Sequence, residues 1–214
     1  MQSLEPTIVQ QKPYKKTGLY KSIVEYQNVD SSNYPYPLKK EFITKQLELI
    51  SNSNINFEIN PILCEAFINK NFKSPYLNTA EFVTIQNGKI ILFFNEASGD
   101  FHRIKNINYS TVKKWIKSIV KGIVHLHLHR ILHGDIKASN VLIFDSIAKI
   151  SDFGCSSLIV EEGNQRFTNK LYTPTHRAPE IWKTNQCDLS ADIWALGCTI
   201  FEMVYSAPLF EVKN

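Results

Sequence analysis

The stretch of chain from residue 133 to residue 154 combines side chains that could bind a divalent cation and a phosphate group. They are Asp135, Lys137, Asn140 and Asp152. An apolar run at 141–144 and a second extended run at 148–151 flank the turn-forming pair Asp145-Ser146, which predicts a β-hairpin. The hairpin would gather these polar side chains at one end of a small sheet. Mg²⁺ takes hard oxygen ligands and few of them from protein, and a lysine can neutralise charge on a transferring phosphoryl group.

Three short motifs, in this order, resemble those of the eukaryotic-type protein kinases. The segment HGDIKASN at 133–140 resembles their catalytic loop, Asp152-Phe153-Gly154 their metal-binding turn, and Ala178-Pro179-Glu180 the end of their activation segment. Each motif alone is weak evidence, but all three at the family's spacing are specific. The resemblance implies an α+β, two-lobed protein-kinase-like fold, with a small β-rich N-lobe and a mainly helical C-lobe.

The resemblance also implies a division of the chain into an N-terminal extension and two lobes. The extension is expected at 1–17, the N-lobe at 18–96 and the C-lobe at 97–214. A second interpretation of the first 16 residues, as a loosely held first strand, stays open. This segment is polar and carries Pro6 and Pro13.

Composition is that of an ordinary globular protein. Hydrophobic residues make up 43% of the chain and charged residues 21%. The length of 214 residues is enough for one core of ordinary size or two small lobes. The net charge of +4 comes without a basic cluster interleaved with aromatic residues, so no nucleic-acid partner is predicted. No apolar run approaches the roughly 20 residues of a membrane span, so no membrane partner is predicted.

The cysteines favour a reducing compartment. They are Cys64, Cys155, Cys187 and Cys198, far apart and without a C-x-x-C pair. The N-terminal residues show no basic-then-apolar signal pattern. Free thiols in a cytoplasmic location are therefore predicted.

The resemblance assigns a phosphate-anchoring lysine and its glutamate partner to particular positions. The segment at 42–45 resembles the strand that ends in this lysine, which would be Lys45. A glutamate on the following helix would steady the lysine. Glu58 and Glu65 are both candidates, and the distance to the turn at Pro75 favours Glu65.

Apolar spacing predicts three helices. They are expected at 56–71, 110–129 and 190–205, with Asn60, Ser110 and Ser190 as N-caps. Lysines on the second helix lie opposite its apolar side and predict a solvated face. His125 and His129 lie four residues apart, but no third ligand accompanies them, so no metal site is predicted there. Asp192 resembles the family's aspartate that accepts backbone N–H bonds from the catalytic loop, and it also suits the positive end of a helix.

A hairpin at 82–94, turning at Asn87-Gly88, is predicted ahead of the nucleotide-binding hinge. By resemblance, Phe94 and Glu96 belong to the hinge that binds the cofactor. Phe93 would lie at the back of the nucleotide pocket, Leu142 under the adenine, and Asp100 near the ribose or a substrate.

The resemblance gives each polar residue a role in ATP-dependent phosphoryl transfer. Asp135 would accept or orient the proton of the attacking hydroxyl, and Lys137 would lie near the γ-phosphate. Asn140 and Asp152 would hold Mg²⁺ against the phosphates, while Lys45 would contact the α and β phosphates. The implied cofactors are ATP and Mg²⁺, and catalysis would come from positioning and charge neutralisation.

Two residues indicate the serine/threonine class. Lys137 follows Asp135 by two residues, as in serine/threonine kinases, and Thr173 occupies the place of the threonine that links their substrate-binding loop to the catalytic loop. The implied partner is a protein substrate that carries serine or threonine. Segments 152–156 and 175–180 also resemble the Mos-type branch.

The glycine-rich phosphate loop of the family is missing. Ahead of Lys45 only Gly18 is found, and residues 20–28 stand where the glycines are expected. Glycines let the backbone approach phosphates without a Cβ in the way, so weaker nucleotide binding is predicted.

A second departure lies in the catalytic loop, where Gly134 replaces the usual arginine. That arginine normally pairs with a phosphate on the activation segment. Activity is therefore predicted not to depend on a phosphate at positions such as Thr168 or Ser156.

The chain ends soon after Phe210, so the C-lobe is expected to be truncated after its central helix. The apolar face of the helix at 190–205 would then be partly uncovered, and a regulatory protein could cover it. Two functions stay open: a serine/threonine protein kinase, or a catalytically weak or inactive kinase-like module that regulates another kinase or partner.

Overall fold

A computed structural model describes most of the chain as two compact units. The described residues are 6–14, 19–26, 39–48, 61–101, 108–159, 166–167, 172–184 and 186–211. The first unit comprises Met1–Ser53 and Ala80–Glu96, and the second comprises Asn54–Thr79 and Ala97–Asn214. In the described part of the chain, none of the helices is both long and apolar enough to cross a membrane.

The first unit is an antiparallel five-stranded sheet in the order β1-β2-β3-β5-β4. Its strands are β1 (Pro6–Pro13), β2 (Leu19–Tyr26), β3 (Lys39–Glu48), β4 (Phe82–Gln86) and β5 (Lys89–Phe94). The β4–β5 turn has positive φ at Asn87 (51°) and Gly88 (72°), which these residue types tolerate. The hairpin predicted around Asn87-Gly88 is thereby confirmed.

One face of this sheet carries the unit's aromatic core. Phe42 and Phe93 are fully buried, with ring centroids 6.0 Å apart in an edge-to-face arrangement. Val24, Ile91 and the half-buried Phe82 complete this cluster. The strand register, in which Thr44 pairs with Phe93, places these residues on one side of the pleat.

Part of the segment at 1–17 forms a sheet strand, in agreement with the second interpretation of these residues. β1 pairs with β2 from Pro6 to Pro13, with a bulge near Ile8. As an edge strand, β1 can carry prolines because one row of its N–H groups faces away from the sheet. Residues 20–26, which stand where the family's glycines are expected, belong to β2. The Tyr14 N–H donates to the Leu19 carbonyl at 2.9 Å. Gly18 lies outside the described residues.

The second unit is mainly helical. Its helices are α1 (Pro61–Asn71), α2 (Tyr109–Leu128), α3 (Pro179–Thr184) and α4 (Ser190–Tyr205). Its short strands are β6 (Gly99–Asp100), β7 (Ile131–Leu132), β8 (Val141–Phe144), β9 (Ile147–Ile150), β10 (Ser157–Leu158), β11 (Arg166–Phe167) and β12 (Gln186–Cys187). α1 falls in this unit, not with the sheet as the predicted boundary at 96 implied, because its apolar face joins the core of the second unit.

α2 lies at the centre of that core. Its buried side chains recur at helical spacing: Val112, Trp115, Ile119, Ile123 and Leu126. The N-cap is Asn108, whose side chain accepts the Thr111 N–H at 2.9 Å, so the predicted cap at Ser110 is wrong by two residues. Ser110 instead donates to Asn108 Oδ1.

α4 begins where predicted, but another side chain caps it. Asp188 Oδ1 accepts the backbone N–H of Ser190 at 2.7 Å and also the Ser190 hydroxyl. Ser190 is the first helical residue, not the N-cap. Asp188 therefore supplies the acceptor that the sequence interpretation assigned to Ser190.

Two helical glycines give a matched test of how α2 packs. A Cβ at Gly122 would lie 2.9 Å from Ile150 Cδ1 and 3.0 Å from the Tyr76 carbonyl oxygen, whereas a Cβ at Gly197 would meet nothing within 4 Å. The Tyr76 carbonyl already accepts the Ile150 N–H, so it cannot move freely. We expect Gly122→Ala to lower the free energy of unfolding by about 1–2 kcal/mol, since overpacking outweighs helix propensity.

The control, Gly197→Ala, should raise the free energy of unfolding by about 0.5–1 kcal/mol, since alanine favours a helix over glycine. Both values come from urea unfolding followed by circular dichroism. A stabilising Gly122→Ala would show that α2 does not pack against Tyr76 and Ile150 as described.

Candidate active site

The β8–β9 hairpin brings the two ends of the polar stretch together, as the sequence predicts. Its turn has Asp145 at φ 51°, a conformation that aspartate tolerates. At the open end, the backbone N–H and the hydroxyl of Ser151 both donate to the Asn140 carbonyl at 2.9 Å. Asn140, just before β8, and Asp152, just after β9 and Ser151, therefore both lie at the open end of the hairpin.

Asp135 is the centre of a polar cluster with defined distances. Its Oδ1 accepts the backbone N–H of Thr173 at 3.1 Å and the Thr173 hydroxyl at 2.9 Å. Its Oδ2 lies 2.6 Å from Lys137 Nζ and accepts the Asn140 amide at 3.0 Å. Lys137 Nζ also donates to the Thr173 hydroxyl oxygen at 2.8 Å. The structure thus brings together three of the predicted site residues and adds Thr173 to them.

The donor chemistry at the hairpin end fits Mg²⁺. Asn140 uses its Nδ2 to donate to the Asp135 carbonyl and carboxylate, which leaves its Oδ1 as the atom suited to a cation. Asp152 adds a carboxylate at the end of β9. Mg²⁺ in nucleotide sites takes one or two carboxylates and completes its shell with water and phosphates, so this sparse donor set suffices.

The carboxylates of Asp135 and Asp152 and the ammonium group of Lys137 all act on the Cys155 thiol near this site. Burial raises the pKa of the Cys155 thiol above its ordinary value, and the nearby carboxylates of Asp135 and Asp152 raise it further. A neutral thiol at this position adds no charge to the site. A divalent cation would offset the excess of negative charge.

Asp192 holds the loop that carries Asp135. The carboxylate is fully buried, and its Oδ2 accepts the backbone N–H of His133 at 2.8 Å while its Oδ1 accepts that of Gly134 at 3.1 Å. The predicted hydrogen bonding of Asp192 to the loop is confirmed. His127 Nε2 lies 3.0 Å from Oδ2, and the Tyr172 hydroxyl donates to Oδ1 at 2.8 Å.

These donors keep the Asp192 carboxylate ionised. Burial alone would raise its pKa, but the hydrogen bonds from His127 and from the backbone of His133 and Gly134 lower the pKa below its ordinary value. A buried charge that is fully hydrogen-bonded is stable, whereas loss of a donor leaves it poorly compensated.

The ring of His133 is held in its neutral form. Its Nδ1 accepts the Asp135 backbone N–H at 3.2 Å, and its Nε2 lies 3.2 Å from the Ser151 carbonyl, to which it donates. An acceptor at Nδ1 requires an unprotonated nitrogen. Burial lowers the pKa of His133, in agreement with this geometry. The ring also lies against Phe153, with centroids 5.4 Å apart.

Other predicted site residues of the second unit lie on α1, β8 and β6. Glu65 is a buried residue of α1, and α1 packs against the turn at 153–155, while Glu58 lies outside the described residues. Leu142 and Asp100 pair directly across β8 and β6 and therefore share one face of that small sheet. Both are half-buried.

The first unit places Lys45 on the sheet face opposite to Phe93. Lys45 pairs with Leu92, whereas Phe93 pairs with Thr44 and packs on Phe42. Phe93, predicted at the back of the nucleotide pocket, therefore does not share the sheet face of Lys45, because neighbours along a strand point to opposite faces. Phe94 pairs with Ile43 and shares the Lys45 face.

Glu96 is an exposed residue bound to the first two strands. Its carboxylate accepts from the Tyr14 hydroxyl at 3.1 Å and from Lys21 Nζ at 2.9 Å. These contacts fix its position at the end of β5. Its predicted role in binding the nucleotide stays a prediction.

Two donors to Asp192 escaped the sequence interpretation. The sequence predicts no role for His127 or for Tyr172. Helical spacing from His127 to the core residue Ile123 placed the histidine near the interior, which was the available signal. Tyr172 carried no such signal, because its contacts depend on how distant loops meet.

Comparison with known proteins identifies relatives of this chain. Residues 37–214 match the model of the family described as protein kinase domain. The match begins after β2.

Individual relatives have kinase names. The chain is 34% identical over 115 residues to cyclin-dependent kinase 20 of Pongo abelii, 53% of this chain and 33% of that protein. It is 41% identical over 107 residues to a probable serine/threonine-protein kinase of Dictyostelium discoideum, 49% of this chain and 16% of that protein. It is 33% identical over 151 residues to the mitogen-activated protein kinase HOG1 of Candida albicans, 68% of this chain and 39% of that protein.

The chain thus spans between about a sixth and two fifths of the length of these relatives. The resemblance to the Mos-type branch stays a prediction.

The neutral state of buried His133 predicts a pH dependence of stability. Because its pKa is lowered in the folded chain, the unfolded chain binds more protons, and stability present above pH ~6.5 is lost as the pH falls below that value. The free energy of unfolding should fall by at most about 1.4 kcal/mol per pH unit, which is the limit for one proton.

Urea unfolding at pH 7.5 and 5.5 measures the effect, with His133→Gln as the comparison. The variant should be less stable at pH 7.5 but lose less stability on acidification than the wild type. An equal pH dependence in the two proteins would show that His133 is not held neutral.

Proposed function

Since the chain belongs to the protein kinase domain family, we propose that it is an active kinase that transfers the γ-phosphate of ATP to serine or threonine hydroxyls of proteins. The observation that carries this proposal is the cluster around Asp135. One carboxylate oxygen is bound by Thr173, and the other by Lys137 and Asn140, at 2.6–3.1 Å. Such positioned carboxylate and ammonium groups are what phosphoryl transfer requires.

Asp135 is the group that orients the substrate hydroxyl and receives its proton. The hydroxyl oxygen forms a bond to the γ-phosphorus, the bond from that phosphorus to the bridging oxygen breaks, and ADP leaves. Lys137, at 2.6 Å from Asp135 Oδ2, adds a positive charge next to the transferring group. Asn140 and Asp152 would hold Mg²⁺, which would neutralise the phosphate charge.

The remaining site residues bind the nucleotide in this proposal. Lys45, steadied by Glu65, contacts the α and β phosphates. Phe94 and Glu96 belong to the hinge, and Leu142 lies under the adenine. The strand register supports Phe94, because it shares the sheet face of Lys45. These assignments rest on the family's motifs.

The serine/threonine class is supported by Thr173 and Lys137. Thr173 donates through its hydroxyl to Asp135 Oδ1 and accepts from Lys137 Nζ at 2.8 Å. Its backbone N–H also bonds to Asp135. The segment that would receive the substrate is therefore tied to the catalytic carboxylate. Two named relatives are serine/threonine or mitogen-activated kinases, which agrees with this class.

A second candidate function, binding to a regulatory partner, is favoured by one surface. Large apolar side chains are exposed on α4 and on the segment after it: Ile193, Trp194, Val204, Tyr205, Leu209 and Phe210. Trp194 and Phe210 stack with centroids 5.6 Å apart. Contiguous exposed apolar surface marks interaction sites. Kinase activity and a protein partner on this surface are compatible.

The proposed location is cytoplasmic. The four cysteines, Cys64, Cys155, Cys187 and Cys198, are free thiols. Free buried thiols suit a reducing compartment.

The proposal predicts that Asp135→Asn lowers kcat by at least about 100-fold while the chain stays folded, because the variant removes the proton acceptor. Transfer of labelled γ-phosphate from ATP to a generic basic protein measures kcat, and phosphoamino-acid analysis should find phosphoserine and phosphothreonine. Asp145→Asn is the matched control, since Asp145 is exposed in the hairpin turn and asparagine tolerates its positive φ. Equal transfer by wild type and Asp135→Asn would refute the proposal.

A second prediction concerns the hydroxyl of Thr173. Thr173→Val keeps the shape but leaves Lys137 Nζ and Asp135 Oδ1 each short of one partner, so kcat should fall about tenfold or more. Thr173→Ser keeps the hydroxyl and should retain activity within about threefold. If valine and serine variants had equal kcat, the hydroxyl would have no part in positioning Asp135.

A further inference from the structure

The catalytic loop has a glycine beside the buried carboxylate that organises it. Gly134 adopts φ 78°, a conformation that glycine reaches without steric cost, and donates its N–H to Asp192 Oδ1 at 3.1 Å. The family's catalytic loop usually has an arginine at this position, and here the position has no side chain. An anchor between the loop and the activation segment would have to come from another residue.

Tyr172, from the activation segment, makes three hydrogen bonds at this place. Its hydroxyl donates to Asp192 Oδ1 at 2.8 Å, and its backbone N–H donates to the Gly134 carbonyl at 2.8 Å. Its own carbonyl accepts from Arg177 Nη2 at 3.2 Å. The side chain is buried, and burial together with the Asp192 charge raises the pKa of the hydroxyl, so the hydroxyl stays protonated and donates.

The backbone of Tyr172 is strained, which shows that these bonds hold it in place. Its φ is 64°, a region that bulky residues rarely adopt. A conformation of this kind persists only where surrounding contacts determine it. The hydrogen bonds to Asp192, Gly134 and Arg177 are such contacts.

The strained residue directly precedes Thr173. Thr173 donates twice to Asp135 Oδ1 and accepts from Lys137. A shift at Tyr172 would therefore move the group that binds both catalytic side chains. The same carboxylate, Asp192, thus fixes the catalytic loop through His133 and Gly134 and fixes the activation segment through Tyr172.

We propose that Tyr172 is a positioning residue that ties the activation segment to the catalytic loop through Asp192, in the role that an arginine–phosphate pair fills in the resembled kinases. The tie needs no phosphate, because its acceptor is a permanent carboxylate of the fold. The consequence for the rate rests on the proposed function, but the tie itself does not.

Native-state hydrogen exchange tests the tie without any need for catalysis. In Tyr172→Phe, the backbone amides of Gly134 and Thr173 should exchange at least about tenfold faster than in the wild type, since the bond from the hydroxyl to a buried charge is lost. The exchange rates of the Ile119 and Ile123 amides, in the core of α2, should change only as much as any change in global stability requires. Tyr109→Phe is the control, because Tyr109 is exposed at the start of α2.

A second variant and a spectroscopic signal cover the case in which Tyr172→Phe does not fold. Arg177→Gln removes the bond to the Tyr172 carbonyl and should speed exchange at Thr173 while leaving the hydroxyl in place. The wild type should show a slowly exchanging tyrosine hydroxyl proton by nuclear magnetic resonance. Absence of that proton, or unchanged exchange at Gly134 and Thr173 in a folded Tyr172→Phe, would overturn the proposal.

Activity measurements distinguish failure of the proposed kinase function from failure of the proposed tie through Tyr172. Tyr172→Phe should lower kcat about fivefold or more and leave the KM for ATP unchanged within about twofold, because Asp135 is displaced and the nucleotide contacts are not. Faster exchange in a chain that is inactive even as wild type would reject the proposed function and keep the tie. An active chain in which Tyr172→Phe alters neither exchange nor kcat would reject the tie and keep the function.

Discussion

A single buried carboxylate, Asp192, sets the arrangement on which the candidate site depends. It accepts from the backbone of the catalytic loop, from His127 of α2 and from Tyr172 of the activation segment. A charge without water is tolerable only when each of its acceptor positions is filled, so these parts of the chain must meet at one point. Their meeting at Asp192 determines where His133, Gly134 and hence Asp135 lie.

The polar cluster follows from that constraint. Asp135 comes directly after the two residues bound to Asp192, and Thr173 comes directly after Tyr172. Fixing these neighbours places Thr173 and Lys137 within 3 Å of each other, with Asp135 between them. Catalysis by positioning needs such groups held before substrate arrives. Ser156, one of the positions at which activity is predicted not to need a phosphate, is buried and donates to the His133 carbonyl, so it is part of this support.

Turn residues and apolar spacing make many of the hairpins and helices predictable from the sequence. The hairpin at 82–94 and the β8–β9 hairpin follow from turn residues and apolar runs, and α2 follows from its 3.6-residue period. The errors lie where several acceptors compete or where one residue of register matters. Asn108 and Asp188, in place of the neighbouring serines, supply the acceptors at the helix starts, and Phe93 lies on the sheet face opposite to Lys45. Tyr172 could not be found, because its partners are distant in the chain and its φ is set by them.

The central claim is that the loop and the activation segment are assembled without a phosphate. Its most direct measurement is the turnover of ATP-dependent protein phosphorylation by the chain after phosphatase treatment, with mass spectrometry showing that no phosphate is present. We expect a kcat within about threefold of that of the same chain after preincubation with Mg²⁺-ATP. A phosphate-free chain that is inactive and gains activity after phosphorylation by a second kinase would contradict it.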